Sequence, residues 1–149
     1  MLFRSLPPIV TDRDPVTIVI TPDGKTAYVA NNGSGTVTPI RTASNTALPP
    51  IQAGPHPDAI AITPDGGTVY VANDVAAGTV VPIRTATNKA LRPVKTGGSP
   101  GAIAITPDGR TAYVTNSGSA TVTPIRTATN TALPSIKTGR SAVTIVITP

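Results

Sequence analysis

The chain has 149 residues, of which 39% are apolar, 3% aromatic and 13% charged, and its formal net charge is +5. It contains no cysteine, which excludes disulfides, thiolate catalysis and cysteine metal sites. No apolar stretch is long enough for a transmembrane helix. Met1–Val10 has no apolar region typical of a signal peptide, because Pro7 and Pro8 interrupt it.

One unit recurs along the chain. The tetrapeptide Thr-Pro-Asp-Gly starts at Thr21, Thr63 and Thr106, and a further Thr-Pro stands at Thr148. Successive starts lie 42, 43 and 42 residues apart, and a fixed period of this length indicates a repeat architecture. We therefore divide the chain into an N-terminal tail at 1–5 and a repeat array at 6–149. The array has repeats at about 16–57, 58–100 and 101–142, and a partial fourth at 143–149.

Each repeat is predicted to contain four short strands. In the first copy, strand A is the β-branched run Thr17–Thr21, and the turn Pro22–Gly24 has the residues of a tight hairpin. Strand B follows at Thr26–Asn31, strand C at Thr36–Thr42 and strand D around Leu48–Ile51. No window has the apolar spacing of a helix, so no helices are expected.

Proline positions predict the order of these strands. Pro49 and Pro50 place strand D at a sheet edge, because proline cannot donate to a ladder. Strand A lacks proline and charge, which predicts a buried inner strand. Pro39, Pro82 and Pro124 within strand C predict a bulge or a weak ladder between strands C and D. Together these features are typical of a β-propeller blade.

The tetrapeptides Tyr28–Asn31, Tyr70–Asn73 and Tyr113–Asn116 each follow a Pro-Asp-Gly turn. They resemble the YVTN family of β-propeller repeats, and the resemblance covers Leu6–Pro149. It implies a bacterial or archaeal propeller, secreted or at the cell surface, with more blades than this chain has. The chain departs from the family at the residue after the strand-C isoleucine, where Arg41, Arg84 and Arg126 stand in place of the common aspartate.

The predicted fold class is all-β: three four-stranded antiparallel propeller blades, a leading strand D and a trailing strand A. The blades form an open arc rather than a closed ring, because closed propellers have at least about four blades. Two explanations remain: two or more chains complete a ring, or the sequence is a fragment of a longer propeller, which we favour. Open ends leave apolar faces uncovered in either case and favour self-association.

Two sets of residues are candidate sites. Arg41, Arg84 and Arg126 occupy equivalent positions on strand C and would form a basic stripe for a polyanion. A solvated blade edge is the simpler interpretation, and nucleic acid is not expected because no aromatic residues interleave. His56, the only histidine, lies in a D–A loop with Asp58, and Asp74 lies in the B–C loop that carries the single insertion.

His56, Asp58 and Asp74 are therefore predicted to share a rim on the face formed by the D–A and B–C loops. One histidine with two aspartates is a poor metal or acid–base set, and an exposed loop histidine is the commoner outcome. The repeated tyrosines Tyr28, Tyr70 and Tyr113 are predicted to pack within the blades, since they recur in every repeat.

No nucleophile elbow, phosphate loop or carboxylate pair is present, and no cofactor is expected. The favoured function is a non-enzymatic scaffold or interaction module that binds a protein or glycan, within a larger secreted or cell-surface propeller. One alternative is a fragment of a lactonase-like propeller enzyme, which the family resemblance suggests. Another is an orphan repeat fragment without independent function.

Overall fold

The computed structural model describes residues 6–139 and 141–148, so the predicted tail 1–5 lies outside the described residues. The regular secondary structure of these residues consists of strands, and they contain no helix. The first repeat contains β1 (Pro15–Ile20), β2 (Thr26–Asn31), β3 (Thr36–Arg41), β4 (Thr46–Ala47) and β5 (Ile51–Gln52). The second contains β6 (Pro57–Ile62), β7 (Thr68–Asn73), β8 (Thr79–Arg84), β9 (Lys89–Ala90) and β10 (Val94–Lys95). The third contains β11 (Pro100–Ile105), β12 (Thr111–Asn116), β13 (Thr121–Arg126), β14 (Thr131–Ala132) and β15 (Ile136–Lys137).

Each repeat forms one antiparallel sheet, here called blade 1, 2 or 3. Its first three strands pair in sequence, and its third strand also pairs with two short strands that together occupy the fourth position. The predicted A–B–C–D order is therefore confirmed. The three sheets do not close into a ring, which confirms the all-β open arc.

Strand D is divided in two by its prolines. Between β4 and β5 the segment Leu48–Pro50 leaves the ladder, although the Leu48 N–H still donates to the Pro39 carbonyl at 2.8 Å. The weak C–D ladder predicted from proline is thus confirmed. The register shift lies in strand A instead, between Pro15 and Thr17 and at the two equivalent positions.

Adjacent blades are held together by aliphatic side chains. Val37 and Ile51 of blade 1 share a cluster with Val71 and Ile83 of blade 2, and a second cluster joins blades 2 and 3 around Val114. The inner strand β6 contacts both β1 and β11, so the A strands line the inside of the arc. Strand A lies on the inside of the arc as predicted, but it is only partly buried rather than buried. Strands B and C are more buried, because they have a ladder partner on both sides while strand A has one free edge.

The leading strand D and the trailing strand A were predicted as strands, and both predictions are wrong. Residues 6–10 and 142–148 have no ladder partner among the described residues. The reason is the pairing order within a blade. Strand D pairs with the strand C before it, and strand A pairs with the strand B after it. Among residues 6–139 and 141–148, no free strand C or strand B is placed beside these two segments.

The A–B turns are organised by a threonine and an aspartate. In blade 1 the Thr21 hydroxyl donates to Asp23 Oδ1 at 2.6 Å, and the Lys25 N–H donates to the same oxygen at 3.0 Å. The hydrogen bond from Thr21 makes the largest contribution and the one from Lys25 the next, and both lower the pKa of Asp23 from its usual 3.8. Asp65 and Asp108 have the same environment and the same direction of shift. The aspartates are therefore part of the turns.

Candidate binding face

The D–A and B–C loops emerge from the same end of the blades and form what we call the loop face. His56 lies here with a left-handed backbone, φ +50°, and its carbonyl accepts the Asp74 N–H at 2.8 Å. Asp14 and Ser99 occupy the equivalent corners, with φ of +53° and +51°, and their carbonyls accept the same kind of bond. The backbone at His56 therefore has a repeated structural role, while its side chain is particular to this loop.

The His56 side chain is exposed and directed toward the preceding blade. Its Nδ1 lies 3.3 Å from Oδ1 of Asn32, and Nδ2 of Asn32 donates to the Pro57 carbonyl at 3.3 Å. Asn32 therefore connects the B–C loop of blade 1 to the D–A loop that leads into blade 2.

The predicted rim is assembled only in part. The backbone bond between Asp74 and His56 brings their loops together, and Asp58 and Asp74 are both exposed. The side-chain hydrogen bond of His56 goes to Asn32 rather than to either aspartate. Over residues 6–139 and 141–148, no group of three His, Cys, Asp or Glu side chains is placed to hold a metal ion.

A groove of ≈ 440 Å³ opens beside His56. Its lining carries no carboxylate, lysine or arginine, and uncharged polar side chains lie among glycines and a proline: Asn32, Gly33, Ser34, Gly35, Gln52, Gly54, Pro55 and His56. Gly35 and Gly54 have positive φ values of +71° and +98°. A Cβ on Gly35 would lie 2.7 Å from the Gly54 carbonyl oxygen, so glycine permits the two loops to approach.

Sequence reasoning identified His56 but missed Asn32 and Gln52. The only signal was the cluster of Asn, Gly and Ser at 31–35, which predicts a loop but does not show that the loop faces residues 52–56.

The predicted basic stripe lies at the opposite end of the blades. Arg41, Arg84 and Arg126 end their strands beside the A–B turns and are exposed. The ion pairs found among the described residues are Lys25–Asp23 at 3.8 Å and Arg110–Asp108 at 3.9 Å, both on the surface. Acidic and basic residues therefore both lie at this end, and the stripe is separate from the loop face.

The repeated tyrosines fasten one blade to the next. The Tyr28 hydroxyl donates to Asn88 Oδ1 at 2.7 Å, and the Tyr70 hydroxyl donates to Asn130 Oδ1 at 2.6 Å. Burial raises the pKa of Tyr28, and burial together with the Asp65 carboxylate raises the pKa of Tyr70 to about 12. Both tyrosines are therefore packed structural residues, as their repetition predicts.

The asparagine that ends each tetrapeptide is also structural. Nδ2 of Asn31 donates to the Thr38 hydroxyl at 2.9 Å, and Nδ2 of Asn73 donates to the Ala53 carbonyl at 2.8 Å. Both side chains are fully buried. The repeated motif thus builds the blades and contributes no exposed group to the loop face.

Comparison with solved structures identifies the architecture. Hydrazine synthase of Kuenenia stuttgartiensis matches 94% of this chain at 27% identity and a TM-score of 0.81. A putative 6-phosphogluconolactonase from Bacteroides fragilis matches 87% at 25% identity and a TM-score of 0.77. The WD40 repeats of RRP9 match 87% at 17% identity and a TM-score of 0.76, which shows similarity of fold alone.

The chain spans 40% of the length of each of these three structures. No protein-family model matches it, and no curated protein matches it significantly. Within the described residues, no helix is long and apolar enough to cross a membrane. The sheets and these similarities together establish that the chain has the fold of an open arc of β-propeller blades.

Proposed function

We propose that this chain is a non-enzymatic interaction module built from YVTN-type repeats, and that it binds a segment of a partner protein through the groove on the loop face. The observation that supports this most directly is the lining of the groove. Asn32, Ser34 and Gln52 offer side-chain donors and acceptors without a formal charge. Such a lining suits the backbone amides and carbonyls of an extended peptide.

Two features favour a peptide over a glycan. The groove contains no tyrosine, phenylalanine or tryptophan on which a sugar ring would stack. The three glycines of its lining have no side chains to obstruct an extended peptide. The WD40 neighbour is a propeller without a catalytic name, and by analogy of fold it makes an interaction role reasonable.

The binding test uses an array of extended peptides and an array of glycans probed with the purified chain. We expect peptides to be retained by the native chain and by Lys89→Ala, an exposed change at the other end of blade 2. The double variant Asn32→Ala/Gln52→Ala should lose them. Retention by this double variant, or binding of glycans alone, would contradict the proposal.

The lactonase-like alternative comes from two neighbours named putative 6-phosphogluconolactonases, at 25% and 20% identity. The described residues around His56 do not support it, because Asn32 rather than a carboxylate contacts the imidazole. Hydrolysis of 6-phosphogluconolactone by the purified chain, abolished by His56→Ala, would establish the enzyme instead. A non-cooperative thermal transition would favour the orphan fragment.

Secretion or display at the cell surface is part of the same proposal and rests on the YVTN resemblance. Fractionation of cells that express the full gene tests it. Recovery in the medium or on the surface is expected, and recovery only inside the cell would contradict it.

A further inference from the structure

We propose that Asn32 is a site of spontaneous deamidation, and that His56 promotes the reaction through its hydrogen bond to the amide that reacts. The product carries a carboxylate in a groove whose lining otherwise has none. The reaction needs only this chain and water, so the site does not depend on the ligand proposed for the groove.

The sequence at Asn32 favours this chemistry. Asn32 is followed by Gly33, and it is the only asparagine of the chain with glycine after it. Because glycine has no Cβ, its backbone nitrogen is free to approach the side chain of the preceding residue. A larger side chain at that position would hinder the approach.

The reaction has two steps. In the first, the backbone nitrogen of Gly33 attacks Cγ of Asn32. A bond forms between these two atoms, the bond from Cγ to Nδ2 breaks, and ammonia leaves with the proton of the Gly33 nitrogen. In the second step, one water molecule opens the cyclic imide at either of its two carbonyls. The products are an aspartate and an isoaspartate, in which the backbone runs through the former side chain.

The loop between β2 and β3 leaves the reacting groups available. Asn32 is half-buried and Gly33 is exposed. Within residues 6–139 and 141–148, the Gly33 N–H donates to no backbone carbonyl, so no such bond has to break before the nitrogen attacks. The asparagines that end β2, β7 and β12 are fully buried instead, which keeps water away from them.

The contacts of Asn32 determine which of its side-chain atoms faces His56. Nδ2 of Asn32 donates to the Pro57 carbonyl at 3.3 Å, and of the two amide atoms only the nitrogen can donate to a carbonyl. The atom that lies 3.3 Å from Nδ1 of His56 is therefore Oδ1. Because Oδ1 can only accept, Nδ1 of His56 carries the proton.

A donor at Oδ1 lowers the barrier to the first step. Negative charge develops on Oδ1 of Asn32 as the nitrogen adds to Cγ, and a hydrogen-bond donor already in place stabilises that charge. His56 is the only histidine of the chain, so no other asparagine has an imidazole beside it. Sequence and contact therefore both single out the same residue.

The susceptible glycine has a structural cause. A Cβ at Gly33 would collide with the carboxylate of Asp14, and the Gly33 carbonyl accepts from Nη2 of Arg13 at 3.3 Å. The D–A loop before blade 1 thus packs closely on this turn and requires glycine there. For the same reason, a variant at His56 tests the reaction more cleanly than a variant at Gly33.

Deamidation changes the contacts of the groove as well as its charge. An aspartate has no N–H to donate to the Pro57 carbonyl, and a carboxylate oxygen in that place repels it. The carboxylate can still accept from Nδ1 of His56. The link from the B–C loop of blade 1 to the loop that leads into blade 2 is therefore weakened, and the groove gains attraction for cations.

Peptide mapping by mass spectrometry, after incubation of the purified chain at neutral pH, tests the site. Aspartate and isoaspartate are expected at position 32, each with one oxygen from isotope-labelled water. Asn45 is exposed but followed by threonine, and it should remain intact over the same time.

Two variants test the part played by His56. His56→Ser should slow the reaction by roughly fivefold, the effect of losing one neutral hydrogen bond. The equivalent corner already accepts serine, at Ser99 with φ +51°. Thr46→Gly is the matched control, because it creates Asn-Gly at Asn45, beside Arg41 and far from the loop face. Asn45 should then react at the slow rate of the His56→Ser chain.

An Asn32 that stays intact while Asn45 of the Thr46→Gly chain deamidates would overturn the proposal. So would an equal or faster reaction of Asn32 in His56→Ser, because the imidazole would then give no assistance. Products without isoaspartate would also contradict it, since opening of the cyclic imide yields both.

The effect on binding rests on the proposed function. Asn32→Asp reproduces one product, and on the peptide array it should shift retention toward peptides with lysine or arginine. If the native chain retains no peptide, the proposed function fails, while the mass spectra still decide the deamidation site. If the native chain and Asn32→Asp retain the same peptides, the new charge has no effect on recognition and this consequence is wrong.

Discussion

The hydroxyl of Tyr28 lies 2.7 Å from Oδ1 of Asn88 and joins a strand of blade 1 to a turn of blade 2. A buried tyrosine needs a partner for its hydroxyl, and here the partner comes from the neighbouring repeat. The bond therefore joins two blades rather than two residues of one sheet. An equivalent bond joins Tyr70 of blade 2 to Asn130 of blade 3.

Replacing Asn88 with glycine should lower the free energy of unfolding by about 1 kcal/mol, because the buried Tyr28 hydroxyl loses its acceptor. Glycine tolerates the left-handed backbone of Asn88, so the loss reports the hydrogen bond. Urea unfolding of the purified chain measures it. Asn45→Gly is the matched control, since it changes the same turn position, where the described residues place no tyrosine hydroxyl. An equal loss in both variants would show that the bond to Tyr28 adds nothing.

Replacing Thr115 with alanine should stabilise the chain by about 1 kcal/mol. The hydroxyl of Thr115 is buried without a hydrogen-bond partner among the described residues, and the equivalent positions in the other blades are Ala30 and Ala72. Thermal unfolding measures the change. Thr123→Ala should instead destabilise the chain, because the Thr123 hydroxyl accepts a bond from Asn116 Nδ2 at 2.9 Å. A loss of stability in Thr115→Ala would contradict the prediction.

Alkaline pH should remove the stability that Tyr70 contributes. Its pKa is raised to about 12 in the folded chain from an ordinary value of 10. The neutral hydroxyl is therefore favoured by folding, and its contribution is complete below pH 10 and lost as the pH rises toward 12. The difference in unfolding free energy between the native chain and Tyr70→Phe should narrow over that range. A difference that stays constant from pH 9 to 12 would contradict this.

Acid should remove the stability that the aspartates of the A–B turns contribute, because their pKa values are lowered by folding rather than raised. The Thr63 hydroxyl and then the Gly67 N–H lower the pKa of Asp65 from 3.8. Its contribution is therefore present above pH 3.8 and is lost as the pH falls through the lower folded value. The stability difference between the native chain and Asp65→Asn should shrink below pH 4 and stay level from pH 5 to 7. Urea unfolding at each pH measures it, and a difference that grows in acid would be the contrary result.

The fold was readable from the sequence because each strand boundary has a local cause. The Asp-Gly turns, the β-branched runs and the Pro49–Pro50 pair determine the strand order within one repeat. The leading and trailing strands were mispredicted because pattern alone does not supply a ladder partner. Val143 and Val146 continue the apolar pattern of strand A, yet they are 66% and 81% exposed.

The binding groove was harder to predict because it depends on contact between blades. Asn32 belongs to one repeat and His56 to the loop that leads into the next, and their approach is set by the packing of blade 1 on blade 2. The tyrosine–asparagine bonds were missed for the same reason. Tyr28 and Asn88 belong to different repeats and occupy different positions within the repeat. Aligning the repeats shows which residues are equivalent, but it does not show which non-equivalent residues are in contact.

The central claim is that the chain forms three equivalent blades, each with well-paired strands B and C and a divided outer strand D. Hydrogen exchange along the chain tests this claim most directly. Because B and C strands are paired on both sides and buried, amides in 26–41, 68–84 and 111–126 should exchange most slowly, apart from the loops within them. Amides in 46–52, 89–95 and 131–137 should exchange much faster, in every repeat. Slow exchange confined to one repeat, or equal rates in outer and middle strands, would contradict this structure.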